Sequence, residues 1–144
     1  MLNALVVCLV LTLCPLLVGA QDTQAPSPPA PAASTDSPVI PASAKDQVNP
    51  VKPTADSLAQ GKKYYGFDCA MCHGANGNGK GEVAIDEKLK IGDFSDPATL
   101  KDKTDGELFY VLKTGTNHMP AERVRAKPDE LWNLINYVRS LSKK

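Results

Sequence analysis

The 144-residue chain has no surplus of charge of either sign and few aromatic residues. Sixteen Lys and Arg residues balance sixteen Asp and Glu residues, so bulk charge favours neither nucleic acid nor an acidic substrate as a partner. Aromatic residues make up only 6% of the chain, which is little for the core of the single ordinary domain that this length allows. A large apolar cofactor would supply the missing core surface.

The first twenty residues form a continuous apolar segment that predicts an exported protein. Residues 1–20 carry no charged side chain, and small residues precede Gln21, where a signal peptidase would cleave. The segment also lacks the usual basic residues at its start, and it approaches the ~17–25 residues that span a bilayer. An uncleaved membrane anchor is therefore the alternative, and either way the rest of the chain is expected in the periplasm. Cys8 and Cys14 lie in this segment, so cleavage leaves two cysteines.

Residues 21–53 are rich in proline, alanine and serine and nearly lack large apolar residues. Proline fixes φ and removes amide donors, so we expect this segment to build neither a helix nor a core. The sequence predicts a disordered, semi-extended linker over 21–53 that either tethers a domain to a membrane or partner, or is only a solvated spacer. The folded domain is predicted over 54–144.

The segment Cys69-Ala70-Met71-Cys72-His73 carries the chemistry of the chain. Two thiols three positions apart can add to the two vinyl groups of a haem, and the histidine that follows can reach the iron, which is the pattern of c-type haem attachment. A thioredoxin-like motif would need strands around it, and none is indicated. Zinc bound by this motif with His118 fits poorly, because zinc histidines are usually spaced three to five residues apart. A disulfide would leave His73 unexplained.

Helical patterns surround this motif. Thr54 caps a predicted helix over 55–68, in which Gly61 is costly unless a second helix packs against it. Glycines 74, 77, 79 and 81 predict a loop after the motif, followed by short helical turns near 86–90 and 97–101. A capping box at Thr104–Glu107 starts a helix that ends before Gly115, and Pro128 opens a last amphipathic helix.

The loop between the last two predicted helices offers a second axial ligand. Met119 lies in a polar, glycine-containing loop, an unusual place for a core methionine, and methionine or histidine can ligate haem iron. Adjacent residues of an extended loop point in opposite directions, so only one of His118 and Met119 can face the haem. We expect Met119 to be the ligand, with His118 as the competitor and an open or water-bound iron as the remaining alternative.

Together these residues resemble the class I cytochromes c, and more closely the small bacterial periplasmic type. The resemblance covers residues 58–142 and rests on the following segments: Cys69–His73, the loop through Gly81, Asp93–Pro97, Asp105–Phe109, Gly115–Pro120 and Leu131–Leu141. It implies an all-α fold in which the first and last helices cross and short helices and loops surround one covalent haem c. It also implies that Gly61 and Tyr65 meet Leu134 and Tyr137 at the crossing.

One departure from the family pattern concerns the proximal histidine. Family members usually have a proline soon after the glycine-rich loop, near a carbonyl that accepts a hydrogen bond from that histidine. Here Glu82 follows Gly81, and no proline occurs before Pro97. We still expect a backbone carbonyl in the 74–85 region to orient His73.

The expected function is one-electron transfer by a six-coordinate haem cycling between Fe(II) and Fe(III), with redox proteins as partners and no enzymatic activity of its own. The alternatives are a haem subunit of a larger oxidase or dehydrogenase and, less well supported, a haem enzyme with an open iron site. Five lysines would either ring the exposed haem edge or form ordinary solvated surface: Lys62, Lys63, Lys80, Lys88 and Lys90.

Overall fold

The computed structural model describes residues 39–122 and 126–142, which belong to one compact unit. The predicted signal peptide or anchor, residues 21–38 of the predicted linker, and Lys143 and Lys144 lie outside the described residues. The described part contains helices and no strand, which confirms the all-α prediction. The helices are α1 Ala42–Lys45, α2 Ala55–Asp68, α3 Ala70–His73, α4 Glu82–Asp86, α5 Pro97–Leu100, α6 Asp105–Thr114 and α7 Pro128–Leu141. None of those in the described ranges has the length and apolar character to cross a membrane.

Helix α2 begins and ends where the sequence predicts. The Thr54 side chain accepts a hydrogen bond from the backbone N–H of Ser57 and so satisfies a free donor of the first turn. Within α2, Gly61 lies against α7, where a Cβ atom would overlap the Asn133 carbonyl and approach the Tyr137 Cβ to 2.7 Å. The glycine is therefore required by the close approach of the two helices.

The crossing of α2 and α7 is the most extensive helix contact in the described residues. The rings of Tyr65 and Tyr137 meet edge to face with centroids 5.3 Å apart. Leu131, Leu134 and Ile135 of α7 are fully buried beside them, as the helical spacing predicts. Burial raises the pKa of the Tyr65 hydroxyl far above its usual value, so this group stays protonated and donates to the Gly74 carbonyl at 2.8 Å. The crossing predicted from the family resemblance is confirmed.

Helix α6 begins with the predicted capping box. Thr104 Oγ1 accepts from the Glu107 N–H at 3.1 Å, and Glu107 Oε2 accepts from the Thr104 N–H at 2.8 Å. The helix ends at Gly115, whose φ of 72° suits glycine. Phe109 of α6 stacks on Trp132 of α7 with ring centroids 4.0 Å apart, which joins α6 to the core.

Two sequence predictions differ from the structure. The short helix expected near 86–90 is α4, Glu82–Asp86, which starts directly after Gly81 with an acidic residue in its first turn. It ends early because Lys88 adopts a positive φ of 54°, which stops a helix of L-residues.

The second difference is that part of the predicted linker is folded. Residues 39–53 include α1, which packs on α6 at Gly106, where a Cβ atom would overlap the Ala44 carbonyl. Asn136 of α7 accepts from the Asn49 side chain at 3.0 Å and donates to the Val51 carbonyl at 2.9 Å. The expectation that 21–53 builds neither helix nor core is therefore wrong for 39–53, since Pro41, Pro50 and Pro53 flank the contacts and do not interrupt them.

Candidate haem-binding site

An apolar cavity of about 620 Å³, its open mouth included, lies between α2, α6 and α7. Its apolar wall comes from the two C-terminal helices: Leu108, Val111, Leu112, Leu134, Ile135 and Val138. Cys69, His73 and Met119 line the same cavity. The structure thus brings Met119 into the same space as Cys69 and His73, which lie far before it in the sequence.

The attachment segment is a single helical turn. Cys69 ends α2, where its N–H donates to the Tyr65 carbonyl at 3.0 Å, and the His73 N–H donates back to the Cys69 carbonyl at 2.8 Å. No disulfide joins Cys69 and Cys72, and both are partly buried. One turn of backbone therefore presents the two sulfur atoms and the imidazole in the order that c-type attachment requires.

His73 is held by an aromatic ring. Its imidazole stacks on Phe94 with centroids 4.7 Å apart and planes 18° from parallel. Burial lowers the pKa of His73, which keeps the imidazole neutral and able to act as a metal ligand. Its Nδ1 atom is buried without a hydrogen-bond partner among the described residues. The carbonyl expected to orient His73 is thus not in place: the Gly74 carbonyl accepts from the Tyr65 hydroxyl, and the Gly77 carbonyl accepts from the Phe94 N–H.

A second cavity adjoins the first on the side of the attachment segment. Cys69, His73 and Met119 line both cavities, while Cys72, His118 and Glu122 line only the second. His118 is exposed, whereas Met119 is partly buried and packs against the hydrophobic core. The three shared residues therefore lie where the two cavities meet.

The Met119 loop has a defined backbone. The Thr116 N–H donates to the Met119 carbonyl at 2.8 Å, and the Glu122 N–H donates to the Leu112 carbonyl of α6 at 2.8 Å. Gly115 lies under the loop, where a Cβ atom would come within 2.9 Å of the Ala121 nitrogen. Glycine is needed here both for the positive φ and for the close approach.

The residues present fit a covalent haem. The wall is apolar, a neutral imidazole and a thioether line the same space, and two cysteines without a disulfide adjoin it. Zinc fits less well, because no group of three or more His, Cys, Asp or Glu residues converges within the described ranges. Two residues of the site were not among the predicted site residues: Phe94 on the histidine side and Glu122, which accepts a hydrogen bond from Tyr64, on the methionine side. The position of Glu122 close after Met119 was the one available signal.

The fold and the site together define a helical protein with a c-type attachment segment. The sequence model of the Cytochrome c family matches residues 58–142, and the chain belongs to this family. Membership implies covalent haem c, and the function of the chain is accordingly haem-based electron transfer. No curated protein matches the chain significantly.

Solved structures agree with this assignment. A chain of the reducing HAO-like protein complex Kustc0457/Kustc0458 of Kuenenia stuttgartiensis is 30% identical with a TM-score of 0.57, over 64% of this chain and 46% of that one. The c-type cytochrome KustC0563 is 27% identical with a TM-score of 0.51, over 56% of this chain and 95% of that one. The match therefore spans less than half of the HAO-like complex chain and nearly all of the small cytochrome.

Proposed function

We propose that the chain is a one-electron carrier whose single haem c is attached to Cys69 and Cys72 and ligated by His73 and Met119. The proposal depends mainly on the shared cavity, in which Cys69, His73 and Met119 face the same apolar space. When bound, the haem supplies an iron that alternates between Fe(II) and Fe(III).

The chain's own residues act on that iron in three ways. The cysteine sulfurs fix the cofactor, which prevents its loss in an extracytoplasmic compartment. His73 and Met119 would both ligate the iron, which would keep small molecules from binding it and limit rearrangement on electron transfer. The aliphatic wall from α6 and α7 excludes water and disfavours the more charged ferric form, and the thioether ligand acts in the same direction.

Met119 is favoured over His118 as the second ligand by its surroundings. Met119 lines both cavities and contacts the core, whereas His118 is exposed and lines one cavity. The backbone bond between Thr116 and Met119 supports a fixed position for the thioether.

Optical spectroscopy of three proteins tests the ligand assignment. Wild type, Met119→Ala and His118→Ala would be matured in a host that attaches haem, and a pyridine haemochrome assay would count haems per chain. We expect one haem per chain in all three, and a far-red band of iron–sulfur ligation in oxidised wild type and His118→Ala only. Persistence of the band in Met119→Ala, or its loss in His118→Ala, contradicts the assignment.

A second candidate function is a haem subunit of a larger redox assembly. It is favoured by the similarity to a chain of the HAO-like complex, which has additional length beyond the matched part. Size-exclusion chromatography of the native protein from its source separates the two candidates. Elution as a monomer supports the free carrier, and co-elution with a second redox protein through purification supports the subunit.

We also propose that the carrier works outside the cytoplasm, because covalent haem c is attached there and residues 1–20 have the composition of an export signal. Mass spectrometry of the mature protein tests this proposal. A mature chain that begins at Gln21 supports cleavage, and an intact residue 1 in the membrane fraction supports the anchor. An intact chain in the cytoplasm contradicts export.

A further inference from the structure

Glu122 is a buried carboxylate close to the proposed methionine ligand. It follows Met119 by three positions, and only 4% of its surface is exposed. Burial of a carboxylate is costly unless hydrogen bonds offset the loss of water. Tyr64 of α2 supplies such a bond, because its hydroxyl donates to Glu122 Oε2 at 2.9 Å.

The contact joins two separate parts of the fold. Tyr64 lies one turn before the attachment segment, 58 residues from Glu122 in the sequence. The Glu122 backbone N–H donates to the Leu112 carbonyl at the end of α6. Residue 122 is thus fixed to α6 by its backbone and to α2 by its side chain. The Met119 loop lies between Gly115 at the end of α6 and this fixed point.

The same residue borders the haem site. Glu122 lines the second cavity together with Cys69, Cys72, His73 and Met119. A negative charge in a site of low dielectric stabilises a positive charge nearby more strongly than it would in water. The ferric state carries one more positive charge than the ferrous state, so the carboxylate favours the ferric state.

We propose that Tyr64 and Glu122 form a positioning pair for the haem iron. The hydrogen bond holds the Met119 loop against α2, and the carboxylate lowers the reduction potential that the apolar wall and the thioether raise. This inference rests on the proposed function, since it assumes that Met119 ligates the iron.

Two variants test the positioning of the Met119 loop and the effect of the Glu122 charge separately. Glu122→Gln retains an oxygen that can accept from Tyr64 and removes the charge. Tyr64→Phe retains the charge and removes the hydrogen bond. The matched controls are Glu87→Gln, which removes the same charge from an exposed residue at the end of α4, and Tyr110→Phe on α6, whose side chain lines neither cavity.

The first measurement is the reduction potential of each haem-loaded protein. For Glu122→Gln we expect the ferrous-to-ferric ratio at a fixed ambient potential to rise about threefold to tenfold. A tenfold rise corresponds to about 59 mV for a one-electron couple. For Glu87→Gln we expect a much smaller change, because exposed charges are screened. Equal potentials in wild type and Glu122→Gln overturn the charge effect.

The second measurement is the rate at which added imidazole replaces the sulfur ligand of the ferric protein, followed by loss of the far-red band. We expect Tyr64→Phe to accelerate replacement about tenfold, because it removes one hydrogen bond to a charged group. Tyr110→Phe should exchange at the wild-type rate. An unchanged rate in Tyr64→Phe overturns the positioning effect, and this test still holds if Glu122→Gln fails to fold.

The two proposals fail in different ways. If wild type itself lacks the far-red band, the ligand assignment is wrong and the pair loses its role with it. If wild type shows the band while Glu122→Gln and Tyr64→Phe match it in potential and exchange rate, only the pair is disproved.

Discussion

At the scale of single residues, Gly61 decides how closely α2 and α7 approach. A side chain there would meet the Asn133 carbonyl and the Tyr137 Cβ, which belong to the backbone and rigid base of a buried helix. Neither atom can move aside without shifting α7. Gly66, on the same helix, is exposed, and a Cβ atom added there would have no neighbouring atom within 4 Å.

The two glycines therefore respond oppositely to alanine. We expect Gly61→Ala to lower the free energy of unfolding by about 1–3 kcal/mol, because overpacking forces the helices apart. We expect Gly66→Ala to raise it by up to about 1 kcal/mol, because alanine favours the helix. Urea unfolding of the haem-loaded proteins measures both. Equal loss of stability in the two variants would refute the explanation from close packing.

Phe94 stacks on the face of the His73 imidazole, whose Nδ1 atom lacks the carbonyl partner that was expected. Its own backbone is fixed, because the Phe94 N–H donates to the Gly77 carbonyl at 2.7 Å. We expect Phe94→Leu to widen the range of imidazole orientations and so to broaden the low-spin ferric signal in electron paramagnetic resonance. Phe67→Leu is the control, because Phe67 is 73% exposed and should leave the signal unchanged. A sharp, unshifted signal in Phe94→Leu would remove this role.

The site was only partly predictable at this scale. The Gly61 contact could be inferred because an internal helix glycine has an energetic cost that a close partner explains. The Phe94 stack and the Tyr64–Glu122 bond could not, since each joins segments whose spacing depends on the tertiary fold. The assignment of Cys69, Cys72, His73 and Met119 as haem contacts stays a prediction until the spectra are measured.

At the scale of elements, local rules predicted the helix ends that capping residues define. Thr54 and the Thr104–Glu107 box start α2 and α6 at the predicted residues. The rules were wrong for α4, whose limits depend on where the glycine-rich loop ends. There Gly81 lies so close to Met71 that a Cβ atom would overlap the Met71 carbonyl. This contact holds the end of the loop at Gly81, so α4 starts at Glu82 and not near residue 86.

The capping box of α6 predicts a particular dependence of stability on acid. The Thr104 N–H, and secondarily Lys45, hold the pKa of Glu107 below its usual value of 4.5. A lowered folded-state pKa means that the stabilisation is complete above the unfolded-state pKa and is lost as pH falls through the folded-state pKa. We therefore expect the stability difference between wild type and Glu107→Gln to shrink as pH falls below about 4.5.

Urea unfolding between pH 7 and pH 3 measures this difference. Lys45→Met is the intermediate control, because it removes a contact of 3.6 Å to Glu107 and leaves the backbone bond in place. Lys45→Met should retain most of the pH dependence of the free energy of unfolding that wild type shows. If the free energies of unfolding of wild type and Glu107→Gln change in parallel between pH 7 and pH 3, the charge of Glu107 contributes nothing to the stability of the capping box.

At the scale of the whole molecule, the folded unit begins before the first long helix. Composition predicted a linker up to residue 53, because a high proline content argues against local helices and says nothing about tertiary contacts. The structure instead places Asn49 and Val51 against Asn136, whose amide also donates to Ser57 Oγ at 2.9 Å. Asn136 is 8% exposed, so its polar atoms depend on these partners.

Removing this segment should therefore destabilise the domain although it contacts none of the proposed haem ligands. Two chains with the same export leader are compared, one starting at Thr54 and one at Val39. We expect the free energy of unfolding to be about 2–3 kcal/mol lower for the chain starting at Thr54, because buried amide groups lose their partners. In an Asn136→Ala background the truncation should cost less, because the bonds to Asn136 are then already lost and only the packing of α1 on α6 remains to be removed. Equal stability of the two chains would show that residues 39–53 are the spacer that their composition predicts, and full additivity with Asn136→Ala would show that the bonds to Asn136 do not carry the effect.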